Sequence, residues 1–310
     1  MLKITNTLLK DEAESRGWRV DVIDEENGVL RYHLPNGKSL IMQSSLTPLT
    51  PAVGLRLADN KLAIYRLAEE VDVRIPATLD CSETDKLEAF IERYKRIVIK
   101  PLDSAHGNGV TVNVSTLEEA QKAIKTAEEF SMRVLAQEQV AGDDYRLLFI
   151  DYKLEAAAIR QPASVKGDGV HSVLELINAE NQSPDRAKDY KAKRNIIDIE
   201  AAKRFLGEQV NEVPAAGEER VVVGTANIGT GGEAIDVTDK VPSNIVESAI
   251  RLLKSLEIPM AGVDFMGTGD DFWLLEINAT PSFGLHVFPS EGTPRQLHKI
   301  FLDWIERSYA

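Results

Sequence analysis

The sequence predicts an α+β protein made of three successive units, a small N-terminal one followed by two larger mixed ones. Three observations carry that expectation. Apolar runs of period two alternate with runs of helical period along the whole chain, glycine-containing turns separate them, and the chain is long enough for several packed cores. It has 310 residues, 43% hydrophobic and 27% charged, which is the composition of a globular protein and excludes a disordered or collagenous chain. Lys plus Arg number 36 against 49 Asp plus Glu, and the net charge of −13 argues against a general binder of nucleic acid or of anionic membranes. A single cysteine, Cys81, allows neither an internal disulfide nor a cysteine zinc site. The acidic residues near the N-terminus and the lack of an apolar run of about 18 residues lead to the expectation of a cytoplasmic protein.

The first unit reads as an amphipathic helix from Leu8 to Trp18, then an antiparallel meander turning at Asn27-Gly28 and at Pro35-Asn36-Gly37. A helix from about Ala58 to Val71 follows, and Ile75-Pro76 ends it in extended chain. The second unit alternates helix (Ser82 to Tyr94), strand (Arg96 to Ile99), glycine loop, strand (Gly109 to Val114), helix (Thr116 to Phe130) and strand (Val134 to Val140). Ser115-Thr116 ahead of Glu118 and Glu119 is a strong helix start. Strands around Leu147 to Ile150 and Leu154 to Ile159 are assigned to the same unit. The third carries helices near Val173 to Glu180, Ile199 to Leu206 and Ser243 to Leu256. Its strands lie near Arg220 to Thr225, Gly262 to Phe265 and Phe272 to Ile277, with a closing helix from Arg295 to Arg307. The expected units are therefore 1–76, 77–160 and 161–310.

Four segments could carry chemistry. In IVIKPLDSAHGNGV a β-branched strand delivers Lys100 to a loop with Gly107 and Gly109, so an ammonium and backbone N–H groups can converge on a polyphosphate; Gly-Asn-Gly between strands also makes a plain hairpin turn. In GVDFMGTGDDFWLLEINATPS a hairpin pairing Met266 with Phe272 through a five-residue loop would turn Asp264, Glu276 and Asn278 to one side. Hard oxygen ligands of this kind suit Mg²⁺, and solvated acids on a polar hairpin face are the competing reading. In LAQEQVAGDDYRLLFI the strand exit Glu138-Gln139-Val140 could meet an adenine edge and Asp144 ribose hydroxyls, although an acidic turn is commonly only solvated. Arg160 and Lys166 flank Pro162 and could receive phosphoryl oxygens, or be surface bases. His33, His106, His171, His286 and His298 lack zinc-site spacing and read as surface or hydrogen-bonded side chains. Cys81 reads as a bystander thiol.

The order of these segments resembles the ATP-grasp superfamily of carboxylate–amine ligases. KPLDSAHGNGV, EQVAGDDYRLL, RQPASVKGDGVHSVLELI, ANIGTGGEAIDVTD and GVDFMGTGDDFWLLEINATPS look particularly like the ATP-grasp modules of cyanophycin synthetases and bifunctional glutathione synthetases. The similarity spans about residues 56 to 300, and residues 1 to 55 carry no matching motif.

The resemblance implies two α+β subdomains clamping a nucleotide, with the N-terminal domain supplying part of the substrate site. It implies Lys61 and Lys100 as phosphate-contacting lysines, and the loop Ser104, His106, Gly107, Asn108 and Gly109 as the flap over the phosphates. Glu138, Gln139 and Val140 would be the adenine hinge and Asp144 the ribose acceptor. Asp264, Glu276 and Asn278 would hold Mg²⁺, with two ions expected and Mn²⁺ able to substitute. Arg160, Lys166 and Asn227 would act on the transferring group, and Thr230, Gly231, Gly232 and Ser282 on the substrate side. The implied reaction is ADP-forming amide or peptide bond formation from a carboxylate and an amine. A kinase acting on a small acceptor and a non-catalytic nucleotide binder are the alternatives. No nucleic acid or membrane partner is expected, and a homodimer is left open. Val222-Val223 and Gly229 stand where related modules read Leu-Arg and Ser, and Pro281-Ser282-Phe283-Gly284 stands where they read Pro-Gly with an arginine close behind. These departures fall on the acceptor side and imply a carboxylate other than that of cyanophycin or glutathione synthesis.

Overall fold

The structure is a computed structural model and describes residues 2–103, 109–187 and 194–310. Ser104, His106, Gly107 and Asn108 lie outside the described residues. Helix α1 (Ile4–Ser15) leads into the meander of β1 (Arg19–Asp24), β2 (Val29–His33) and β3 (Ser39–Gln43), a three-stranded antiparallel sheet. Alternation decides its faces: Leu30, Tyr32, Leu40 and Met42 are buried, while Arg31, Ser39, Ile41 and Gln43 point outward. The expected Ala58–Val71 helix is α3 (Lys61–Glu70), and a short helix that was not expected, α2 (Ala52–Ala58), precedes it. The break is made by Asn60, whose side chain accepts a hydrogen bond from the Ala63 N–H and so starts a new helix at Lys61.

The second unit contains β4 (Thr78–Asp80), α4 (Thr84–Tyr94), β5 (Ile97–Pro101), β6 (Thr111–Val114), α5 (Leu117–Glu128) and β7 (Val134–Glu138). Its sheet has the order β4-β7-β5-β6 and is antiparallel throughout. The capping box expected at the start of α5 is formed, with Thr116 and Glu119 each accepting from the other's backbone N–H. Next come β8 (Asp143–Ile150), β9 (Lys153–Gln161), β10 (Ser164–Lys166), α6 (Val173–Glu180), α7 (Ile199–Leu206), β11 (Glu219–Val221) and β12 (Glu233–Asp236). The chain closes with α8 (Ser243–Ser255), β13 (Met260–Thr268), β14 (Asp271–Asn278), α9 (Gly284–Val287) and α10 (Leu297–Ser308).

Sheet membership moves one expected boundary. The pattern places β8 and β9 in the unit ending at residue 160, but β8 hydrogen-bonds to β13, giving a five-stranded antiparallel sheet of order β12-β9-β8-β13-β14. The seam between the two sheets falls between Glu138 and Asp143. Residues 163–187 and 194–223 also form more than an extension of that sheet. Strands β10 and β11 pair with each other, and Ala163, Val165, Val173, Ile177, Ile197, Ala202, Leu206 and Val222 make a separate small core.

The two faces of the five-stranded sheet differ. Leu147, Phe149, Val263, Leu274 and Ile277 point to one side and pack with Ile64, Tyr65 and Ala68 of α3 and Ile245, Ala249 and Leu252 of α8. On the other, Leu148, Ile150, Ala156 and Met260 lie under Leu9 of α1, Trp18, Tyr32 of the meander and Phe301 and Trp304 of α10. Further along that second face the same strands carry Asp144, Arg146, Arg160, Asp264 and Glu276. The N-terminal unit thus covers one half of a sheet face, and charge occupies the other.

Candidate active site

The hairpin of β13 and β14 turns tightly, with Thr268 opposite Asp271, Gly267 opposite Phe272 and Met266 opposite Trp273. The expected five-residue loop is therefore replaced by a two-residue one, a register that if continued would put Asp264 opposite Leu275 and turn it away from Glu276. A bulge prevents this: Phe265 pairs with Leu274 and Asp264 with Glu276, leaving Leu275 as the extra residue. Asp264 and Glu276 then share a face, and Asn278, two residues on, follows.

Asp264 is buried and holds two guanidinium groups. Arg146 donates Nε to Oδ1 and Nη2 to Oδ2, the latter at 2.7 Å, and Arg160 donates Nη2 to Oδ2 at 2.8 Å. Burial pushes the Asp264 carboxyl up, but Arg146 and Arg160 outweigh it and hold the group below the usual carboxylate range. Asp144 faces Arg160 across β8 and β9 and accepts its Nη2 at 2.6 Å. For Asp144 burial outweighs Arg160, so its carboxyl lies above the usual range. Glu276 is more open, its side chain 38% exposed and 3.8 Å from both Arg146 Nη2 and Lys61 Nζ. Arg146 was not anticipated, although Asp144 and Arg146, two apart on one strand, were a usable signal.

Lys61 opens α3, donates to the Leu102 carbonyl at 3.1 Å, and so connects the start of the glycine loop with Glu276. Lys100 on β5 is buried, and its Nζ donates to Gln137 Oε1 at 2.6 Å and to Tyr65 Oη at 3.2 Å. Glu138 ends β7, where its N–H donates to the Ala77 carbonyl and its Oε2 accepts from the Ala77 N–H. Gln139 is held by Asn113 and by the Arg96 carbonyl, and Val140 is half-buried beside it. The hinge then crosses to β8 at Gly142, at φ +130°, where an added Cβ would lie 2.3 Å from the Gly267 backbone. Only glycine lets the chain entering β8 run so close to β13 there. Gly109, the described end of the glycine loop, packs against Pro101 and Phe130.

In the loop expected to face the acceptor, Asn227 Oδ1 accepts from the Gly229 N–H at 2.8 Å, and its carbonyl accepts from the N–H groups of Thr230 and Gly232. This loop leads into β12, where Ala234 lies opposite Arg160, so Thr230, Gly231 and Gly232 are held at the end of β9. Buried Arg186 fastens the loop from outside, donating Nη1 to the carbonyls of Asn195 and Gly231. Lys166 lies on β10, exposed and opposite Glu219, apart from the carboxylate cluster. Val222 and Val223 are core residues of the small unit. Ser282 is exposed, and the segment carrying it is anchored on both sides by the N-terminal unit. Ser45 Oγ donates to the Pro281 carbonyl at 2.9 Å, and the Phe283 N–H donates to Thr5 Oγ1 at 3.1 Å.

Two minor readings resolve differently. His286, read as exposed or satisfied, is buried with neither ring nitrogen hydrogen-bonded. Burial, reinforced by Arg146 and Arg160, pushes its imidazole down to about 3. Cys81 is buried, and its thiol is pushed up to about 12, chiefly by burial, which is the behaviour of an inert core residue.

Among the described residues no three His, Cys, Asp or Glu side chains converge as a metal-binding set. Glu276 is open to an ion that takes one or two protein carboxylates and completes its shell with water and substrate phosphates, whereas Asp264, held by Arg146 and Arg160, and Asn278, whose Oδ1 accepts from the Thr280 N–H at 2.9 Å, would join it by exchanging those contacts. Nor, among the described residues, is any helix long and apolar enough to cross a membrane.

The profile of the ATP-grasp domain matches residues 58–282. Cyanophycin synthetase of Nostoc sp. (strain PCC 7120 / SAG 25.82 / UTEX 2576) is 34% identical over 277 residues, covering 85% of this chain and 31% of that protein. The glutathione biosynthesis bifunctional protein GshAB of Listeria monocytogenes serotype 4b (strain F2365) is 29% identical over 317 residues, covering 98% of this chain and 41% of that protein. The chain thus spans less than half the length of the curated relatives it matches. The bifunctional glutathione synthetase from Pasteurella multocida shares the fold with a TM-score of 0.71 at 22% identity, over 99% of this chain and 44% of that one. With the profile covering most of the chain and the paired carboxylates, lysines and hinge arranged around the seam of two antiparallel sheets, this chain belongs to the ATP-grasp family.

Proposed function

We propose that the chain is an ATP-dependent carboxylate–amine ligase that forms an amide or peptide bond on amino acid or peptide substrates. A substrate carboxylate attacks the γ-phosphorus of ATP, the bond to the β,γ-bridging oxygen breaks, and ADP leaves an acyl phosphate. An amine then attacks the acyl carbon and phosphate departs. The observation that carries this reading is the approach of Lys61, from the nucleotide side, to Glu276 in the carboxylate cluster at 3.8 Å.

In this reading Lys61 and Lys100 neutralise phosphate charge, and Arg160 contacts the transferring phosphoryl group. Arg160 can turn to that task because Asp264 keeps Arg146 as a second partner. Asn227, Thr230, Gly231, Gly232, Ser282 and Lys166 serve the acceptor, while Glu138, Gln139, Val140 and Asp144 serve the nucleoside. Asp264, Glu276 and Asn278 would hold Mg²⁺, which would supply neutralisation of phosphate charge. Two ions, replaceable by Mn²⁺, and a cytoplasmic setting belong to the same reading.

The test supplies ATP, Mg²⁺ and hydroxylamine with pools of amino acids and small dicarboxylates, so that an acyl phosphate is trapped as a hydroxamate. The expected result is ADP and hydroxamate with one pool, both lost in Glu276→Ala. ADP without hydroxamate would instead mean phosphoryl transfer to a stable acceptor.

A further inference from the structure

The buried hydroxyl of Tyr65 joins the two sides of the site and has no part in the reaction above. Tyr65 lies one helical turn after Lys61 on α3 and is 3% exposed. Its Oη donates to the Leu275 carbonyl at 2.8 Å, which orients its lone pairs away from β14. They accept from Lys100 Nζ at 3.2 Å and from Gln137 Nε2 at 3.0 Å, and Gln137 Oε1 in turn accepts from Lys100. Lys100 Nζ also lies 5.8 Å from the centre of the Tyr65 ring.

Leu275 is the extra residue of the bulge that turns Asp264 toward Glu276. The same hydroxyl therefore binds the strand distortion that makes the carboxylate pair and the lysine of the opposite sheet. Among the described residues, Lys100 Nζ meets only neutral oxygens. A buried amine held by neutral oxygens alone is open to an incoming anion.

We propose that Tyr65 is a positioning residue: anchored on the Leu275 carbonyl, it aims the Lys100 ammonium at the nucleotide phosphates and keeps it in register with Glu276. This rests on the nucleotide reading of the site. The test is calorimetric titration of the full chain with ADP and Mg²⁺, for wild type, Tyr65→Phe, Lys100→Met and the double variant, with melting temperatures measured alongside. Phenylalanine keeps the ring in its apolar surroundings and removes only the hydroxyl. Tyr65→Phe is expected to bind about 10-fold more weakly, the size of one lost hydrogen bond to a charged group. In the Lys100→Met background the same change is expected to weaken binding no further. Unchanged affinity in Tyr65→Phe, or an equal loss with and without Lys100, overturns the proposal while nucleotide binding stands. A wild-type chain that binds no nucleotide would overturn the nucleotide reading and this inference with it.

Discussion

The two sheets treat their buried charges in opposite ways. In the four-stranded sheet, Lys100 is held by an amide and a phenol, so its charge is solvated but not cancelled. In the five-stranded sheet, Asp264 is matched by two arginines, and Asp144 and Glu276 stand beside the same arginines. The first arrangement leaves a cation waiting for an anion, and in the second the buried acid is paired before any ligand arrives. Nucleotide affinity should therefore depend on the first sheet, and folding stability on the second.

The sharpest way to break this comparison is to remove one carboxylate at a time. Asp264→Ala takes from the buried Arg146 its main partner and from Arg160 one of two carboxylates, and the expected cost is about 3–5 kcal/mol in urea denaturation, together with loss of activity. Glu276→Ala, at a half-open side chain with only long contacts, should lose hydroxamate formation while melting within a few degrees of wild type. Sequence reasoning alone would treat the two acids as equivalent ligands whose removal spares the fold. Equal stability losses would show that the arginines do not depend on Asp264.

Lys100→Met tests the other sheet. It should raise the KM for ATP by about 10-fold or more, from loss of a charge-assisted contact, yet leave the melting temperature unchanged or raise it. The stability expectation follows from removing a buried ammonium that, among the described residues, meets only neutral oxygens. A marked fall in stability would mean that Lys100 is structural.

The smallest effect concerns His286, next to the carboxylate cluster. Its ring is neutral in the fold down to about pH 3, whereas in the unfolded chain it takes up a proton below about 6.5. The unfolded state thus binds more protons across that window, and stability falls as pH drops, by about 1 kcal/mol per unit. His286→Phe should flatten the stability profile between pH 7 and 5 in denaturant titrations, and an unaltered slope would place the acid sensitivity elsewhere.

Legibility followed the range of the interaction. The Thr116 cap, the meander turns and the helices Val173–Glu180 and Ile199–Leu206 were readable because their causes lie within a few residues. Of the residues that organise the site, Lys61, Lys100, Arg160, Asp264, Glu276 and Asn278 were nominated by motif. Tyr65, Gln137, Arg146 and Arg186 were not, because each looks like an ordinary core or strand residue until its partner is known.

The sequence by itself determined an α+β chain with lysines, acids and a glycine loop in ATP-grasp order, since residue type and spacing carry that information. Tertiary structure alone decided which sheet owns β8, that a bulge at Leu275 turns Asp264 toward Glu276, and that Arg146 locks an acid 118 residues away. A strand's period states which residues share a face, but register and long-range pairing choose what that face meets.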